Sequence, residues 1–234
     1  MKIENRKLTE FLQKVKLQGM EEIRETILDF NNEGLHIEAM SMNGAVFVNA
    51  TLSKDAFLQY EAIGKIALQD IPMILKVINR FGKELTIEVR ENIIVLKDEE
   101  KEMTTELMNV DYIKPMEELP NFEFAETFKL PINFIQSTLD DASVNKEYSM
   151  IFETIEKSLI AKSTGKFKFL RSFKSEDIKG GTKVEFGTPF INAVTNLNND
   201  VEISLKSQYP IKIVEKTDSS LIIIVSAPLT KPEE

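Results

Sequence analysis

Apolar positions along this chain recur in two periods, three-to-four and two, and the switches between them lay out the elements. In LTEFLQKVKL (8–17), Leu8, Phe11, Leu12 and Val15 share one helical face, with Lys14 and Lys16 off that stripe and expected to project away from the core. LHIEAMS (35–41) and AVFVNATL (45–52) alternate as strands around Met42-Asn43-Gly44, and Asn-Gly between alternating runs predicts a hairpin. A short connector with helical leanings (53–61) and a strand, GKIALQD (64–70), come next. Asp70 then caps a helix to about Arg80, with Pro72 in its first turn and Ile71, Ile74, Leu75 and Ile78 inward. ELTIEVR (84–90), NIIVLKD (92–98) and MTTELMN (103–109) read as a meander of strands closing the first half.

NVDYIKPMEELPNFEF (109–124) breaks both periods. Pro115 and Pro120 remove backbone donors and push the preceding residues toward extended geometry, which predicts an exposed strap near a functional surface. The earlier order then recurs: a strand over 122–130, a short helix opened by Pro131, and strand runs at 149–157, 158–165 and 166–173. TKVEF (182–186) follows, and Thr188 caps a helix with Pro189 at its first position and Phe190, Ile191, Val194 and Leu197 inward. Three closing strands, VEISLK, IKIVEK and SLIIIVSA, complete the pattern. The helix-plus-meander units beginning at Asp70 and Thr188 lie 118 residues apart, which points to internal duplication. The expected organisation is residues 1–108, a connector over 109–122, and residues 123–234, with a core in each half.

Composition narrows the chemistry. The 234 residues carry a net charge of −9, which excludes coating by nucleic acid unless the cations sit together on one face. There is no Cys, so neither disulfide nor thiolate chemistry is available, and a reducing compartment is expected. No apolar run reaches the ~20 residues of a membrane span, and MKIENRKLTE lacks the apolar region of a signal peptide. His36, the one histidine, reads as an exposed strand residue with no second ligand to share a metal. Asp140-Asp141 and Glu21-Glu22 are sequence neighbours whose side chains point apart, so neither makes an acid–base dyad. With no phosphate loop and no nucleophile elbow, neither enzyme chemistry nor a cofactor or metal is expected.

GLHIEAMSMNGAVFVNATLSKDAFLQYE (34–61) resembles, without gaps, a pattern of the DNA sliding clamps of the proliferating cell nuclear antigen (PCNA) family, especially archaeal members. The likeness continues through DIPMILKVINR (70–80), TELMNVD (105–111) and ELPNFEF, and ends in YPIKIVEKTDSSLIIIVSAPL (209–229). Between about 140 and 185 it fades. The resemblance implies an α+β fold of two similar clamp domains, helices lining a pore and antiparallel sheets outside. Three subunits would encircle duplex DNA without sequence preference, as an intracellular processivity factor for replication and repair.

On that resemblance, Lys14, Lys16, Lys76, Arg80 and Lys83 are the pore-lining candidates. Met40, Ala45, Phe47, Leu119, Pro210, Val225, Ala227 and Pro228 form the pocket for PIP-box peptides of polymerase, clamp loader, ligase and nucleases. Thr104 and Leu107 of one subunit meet Phe167, Phe169 and Arg171 of the next. Two departures stand out: Glu117 occupies a usually apolar connector position, and the helices expected at 131–141 and 188–197 carry no Lys or Arg. Lys146, Arg171, Lys174 and Lys179 are the cations available nearby. The departures leave open a specialised paralogue confined to a mixed ring or to a viral or checkpoint role. An unrelated α+β enzyme is the remaining alternative.

Overall fold

The computed structural model describes residues 1–19, 22–113, 120–145 and 149–229. The first half runs β1 (Lys2–Glu4), α1 (Asn5–Lys16), β2 (Thr26–Asn31), β3 (Gly34–Met40), β4 (Val46–Ser53), β5 (Phe57–Gln59), β6 (Gly64–Leu68), α2 (Ile71–Ile78), β7 (Glu84–Arg90), β8 (Ile93–Lys97) and β9 (Glu102–Glu106). The second runs β10 (Glu126–Leu130), α3 (Ile132–Ser143), β11 (Met150–Ile155), β12 (Ser158–Ser163), β13 (Leu170–Lys174), β14 (Lys183–Phe186), α4 (Thr188–Val194), β15 (Val201–Leu205), β16 (Ile211–Lys216) and β17 (Ser220–Ser226). Helices and antiparallel sheets make this the expected α+β fold.

The sheets show the duplication in space. One is ordered β5-β1-β7-β8-β9, another β13-β12-β11-β14, and an eight-stranded sheet is ordered β10-β15-β16-β17-β4-β3-β2-β6. The last of these joins the halves. β17 runs antiparallel to β4 from Ser220↔Leu52 to Ser226↔Val46, and the buried apolar side chains of both halves form one contiguous cluster. The separate core expected for each half is thus a shared one, because the alternating apolar faces of β4 and β17 continue each other across the ladder.

Local chemistry explains the element ends. Asp70 caps α2 as expected, its carboxylate accepting from the Met73 amide at 3.0 Å. Around the 42–44 turn, Asn43 Oδ1 accepts from Ser41 Oγ (2.8 Å) and the Ala45 amide (3.1 Å), and Gly44 takes φ +71°. Thr188 is not the cap of α4. Gly187 holds that position and Thr188 is already helical, with no capping side chain. β1 and β2, absent from the sequence expectation, pair with β7 and with β3 and β6.

Two expected strands are shorter than their patterns. Residues 166–169 stay out of β13 because the Asn145 amide binds Phe167 on both sides, donating to its carbonyl and accepting from its N–H at 2.9 Å each. The strand expected from 122 begins at Glu126, since Phe122 and Phe124 turn onto Tyr209 at centroid distances of 5.6 and 6.0 Å.

Candidate functional site

Two surfaces gather the candidate residues. The first is α2 and the turn after it. Its apolar stripe, Ile71, Ile74, Leu75 and Ile78, is buried, which leaves Lys76, Arg80 and Lys83 exposed on the other side. The turn is held from both flanks. Asn5 Nδ2 donates to the carbonyls of Ile78 (2.9 Å), Phe81 (3.1 Å) and Gly82 (3.1 Å). Asp98 accepts from the Gly82 amide at 2.7 Å, and Lys101 Nζ donates to the Arg80 carbonyl at 2.6 Å. Hydrogen bonds from the Gly82, Glu100 and Lys101 amides keep the Asp98 carboxyl below the usual carboxylate range. A cavity of about 710 Å³ opens here, lined by Lys2, Arg80, Lys83, Lys97 and Lys101 together with Glu84, Asp98, Glu99 and Glu100.

The two α1 lysines depart from expectation. Lys14 does not project from the core: its side chain is 7% exposed and paired with fully buried Glu215 of β16. Its ammonium also donates to Asn198 Oδ1 at 2.8 Å, while Glu215 Oε1 accepts from the Asn198 and Asn199 amides, each at 2.8 Å. The α1 stripe is wider than its apolar residues indicate, because Glu215 supplies a partner that lets a lysine go inside. Lys16 is half-buried and bound to Glu22 at 2.8 Å. The free cations of this face are therefore Lys76, Arg80 and Lys83.

The second surface lies at one end of four adjacent strands. Met40 pairs with Phe47, and Phe47 with Val225. The Ala227 amide donates to the Ala45 carbonyl at 2.9 Å, and Pro210 immediately precedes β16. Met40, Ala45, Phe47, Pro210, Val225, Ala227 and Pro228, scattered over nearly 190 positions, are thereby brought to one rim. Met40 is 40% exposed, Ala45, Phe47, Pro210 and Pro228 are half-buried, and Ala227 is exposed. Val225 is buried beneath them. Leu119 and Glu117 of the connector, Glu21 and Lys146 lie outside the described residues.

The remaining candidates sit on or beside strand edges. Thr104 is exposed on β9, with half-buried Leu107 just beyond it, and β9 ends its sheet. Exposed Phe167 and half-buried Phe169 precede β13, which ends another sheet, and Arg171 lies within it, bound to Asp141 of α3 at 2.5 Å. His36 is half-buried rather than exposed, its Nδ1 3.1 Å from Thr51 Oγ1 and its Nε2 3.5 Å from Glu38. Among the described residues no group of acidic or histidine side chains is arranged to hold a metal ion. Sequence reasoning missed Glu215, Asn198 and Glu126; a lone acid within an otherwise alternating strand was the available signal for both glutamates.

No family model and no curated protein matches the sequence. Solved structures match along the whole chain. PCNA of A. fulgidus bound to the C-terminal region of FEN-1 superposes with a TM-score of 0.85 at 16% identity, covering 99% of this chain and 98% of that one. PCNA of Thermococcus kodakaraensis gives 0.83 at 17% identity, over 98% and 99%. The PCNA2–PCNA3 complex of Sulfolobus tokodaii gives 0.78 at 18%, over 97% and 98%. The architecture is that of a sliding clamp. The chain has the PCNA fold from end to end, on a sequence that has diverged far from those relatives.

Proposed function

We propose that this protein is a sliding clamp: a non-enzymatic ring that encircles duplex DNA and tethers polymerase and other replication and repair enzymes through PIP-box peptides. The observation that carries the reading is the clamp fold itself, matched over at least 97% of the chain. Two features give it chemistry. Lys76, Arg80 and Lys83 form an exposed basic group on one helix and its following turn, suited to weak, salt-sensitive phosphate contacts that permit sliding. The rim around Met40 and Phe47 offers half-exposed apolar side chains beside the connector, as capture of a short peptide requires. In this reading residues 109–122 connect the two clamp domains, Leu119 completes the pocket and a separate loader opens the ring. The lack of Lys and Arg on α3 and α4 favours one second reading, a subunit of a mixed ring with more basic partners.

The test separates the two surfaces. Lys76→Ala with Arg80→Ala should reduce DNA-dependent polymerase stimulation and leave PIP-box peptide titrations unchanged. Leu119→Ala with Pro228→Ala should weaken the peptide and spare retention on circular DNA. Unchanged stimulation in the first pair removes the pore assignment, and unchanged titrations in the second remove the pocket.

A further inference from the structure

We infer that β9 and β13 are the two sides of one self-complementary junction, occupied by a second copy of this chain and selected by charge. The inference deepens the ring reading above and rests on it. Its starting point is the internal repeat. The first half contributes the strand orders β1-β7-β8-β9 and β6-β2-β3-β4; the second contributes β10-β15-β16-β17 and β14-β11-β12-β13. Each strand has its counterpart at the same place in the other half, so β9 corresponds to β17 and β4 to β13. Within the chain β17 pairs with β4. The equivalent pairing, β9 with β13, is left open, and both strands end their sheets as unpaired edges.

Such edges are an aggregation hazard unless something covers them. Here Phe167 and Leu170 add 52% and 64% exposed apolar side chains beside the open edge. A second copy supplies the missing edge in each direction. Because the contact is head-to-tail, repetition closes a ring when the rotation allows it.

The two edges match in pattern as well as in place. Residues 102–106 and 170–174 both alternate exposed and half-buried, with Met103 and Phe173 packed against the core. The β17–β4 joint is antiparallel. The same sense, centred on Thr104 and Ser172, keeps the core-side residues aligned and sets Glu102 opposite Lys174 and Glu106 opposite Leu170, near Lys168. The charges are segregated. EMTTE (102–106) contains two acids and no base, whereas KFKFLRSFK (166–174) contains four bases and no acid. Arg171 is committed to Asp141, but Glu102, Glu106, Lys168 and Lys174 form no ion pair among the described residues. Opposite charge carried on two edges of one chain steers copies together and rejects partners whose edge has the wrong sign.

The experiment is native mass spectrometry and sedimentation of the intact protein across a dilution series, at about 50 and about 500 mM salt. The expected assembly is near 80 kDa, three times the 26.7 kDa chain, and it should loosen at high salt. Glu102→Lys with Glu106→Lys, or Lys168→Glu with Lys174→Glu, should each weaken assembly roughly tenfold or more through like-charge repulsion. Circular dichroism and melting should show the fold retained. The chain carrying all four substitutions should assemble with itself again and fail to mix with the unsubstituted protein. Unaltered assembly of the two charge-reversed variants, or failure of the four-fold swap to restore it, overturns the charge assignment and leaves the ring reading standing. A chain that stays monomeric alone yet stimulates polymerase once other subunits are added overturns the second copy as occupant and preserves the clamp. A monomer with no such activity sinks both.

Discussion

Lys14 is where residue-level reasoning and the folded chain part most sharply, and the reason is energetic. A lysine off an apolar stripe is normally solvated, since an unpaired buried ammonium is prohibitively costly. Glu215, 201 positions away, removes that cost, with Asn198 and two backbone amides satisfying what the pair leaves over. No local pattern contains that partner, so the burial could not be read from α1 alone. Lys14→Met leaves the Glu215 carboxylate buried without its counter-charge. The expected loss is about 3 kcal/mol, lowering Tm by roughly 5–10 °C. Lys14→Met with Glu215→Gln should cost less than the two single changes together. A single-variant loss below about 1 kcal/mol in denaturant titration would mean that water or rearrangement replaces the pair.

At the scale of elements, a glutamate at the start of β10 makes a comparable tie. Glu126 is 4% exposed; its Oε1 accepts from Thr154 Oγ1 of β11 at 2.5 Å and its Oε2 from the Lys179 amide at 3.1 Å. Burial alone would raise its pKa, but the hydrogen bonds from Thr154, Thr182 and the Lys179 and Gly180 amides together outweigh it, and the net shift is downward from 4.5. A depressed carboxyl stabilises the fold fully above its unfolded value, and that contribution fades as pH falls through the lower folded value. Glu126→Gln should therefore be less stable than the parent at pH 7, with the gap narrowing below about pH 4.5. A gap that stays constant down to pH 3 in urea titrations would show that the charge is not what holds the 179–181 loop. The elements legible in advance were those whose signals are local: the Asn-Gly hairpin, the Asp70 cap, and the alternating runs of β7, β8 and β15–β17. Those misread were settled by side chains from elsewhere, such as Asn145 drawing Phe167 out of β13 and Tyr209 collecting Phe122 and Phe124. The peptide rim was legible because its motif is contiguous in sequence on each strand, even though only the ladders show that the pieces meet.

For the whole molecule, the open question is how a chain of net charge −9 would hold a polyanion. Burial of Lys14 and pairing of Lys16 leave the cations of the proposed pore confined to α2 and the turn after it. α3 exposes Asn133, Gln136, Asp140 and Ser143, and neither α3 nor α4 carries a base. A ring built this way would touch DNA through alternate domains, three patches rather than six. Topological linkage tolerates that economy, because escape requires opening the ring rather than breaking phosphate contacts. The arrangement predicts a shallow salt dependence that can be steepened by design. Gln136→Lys places a cation on the bare helix, and each phosphate it engages should add ~0.9 to the slope of log affinity against log salt. Measured on the loaded ring, Gln136→Lys should slow diffusion along DNA at low salt and converge with the parent at high salt, while peptide binding stays unchanged. Equal diffusion at every salt concentration would turn α3 away from the duplex and require a different face of the second domain to line the hole.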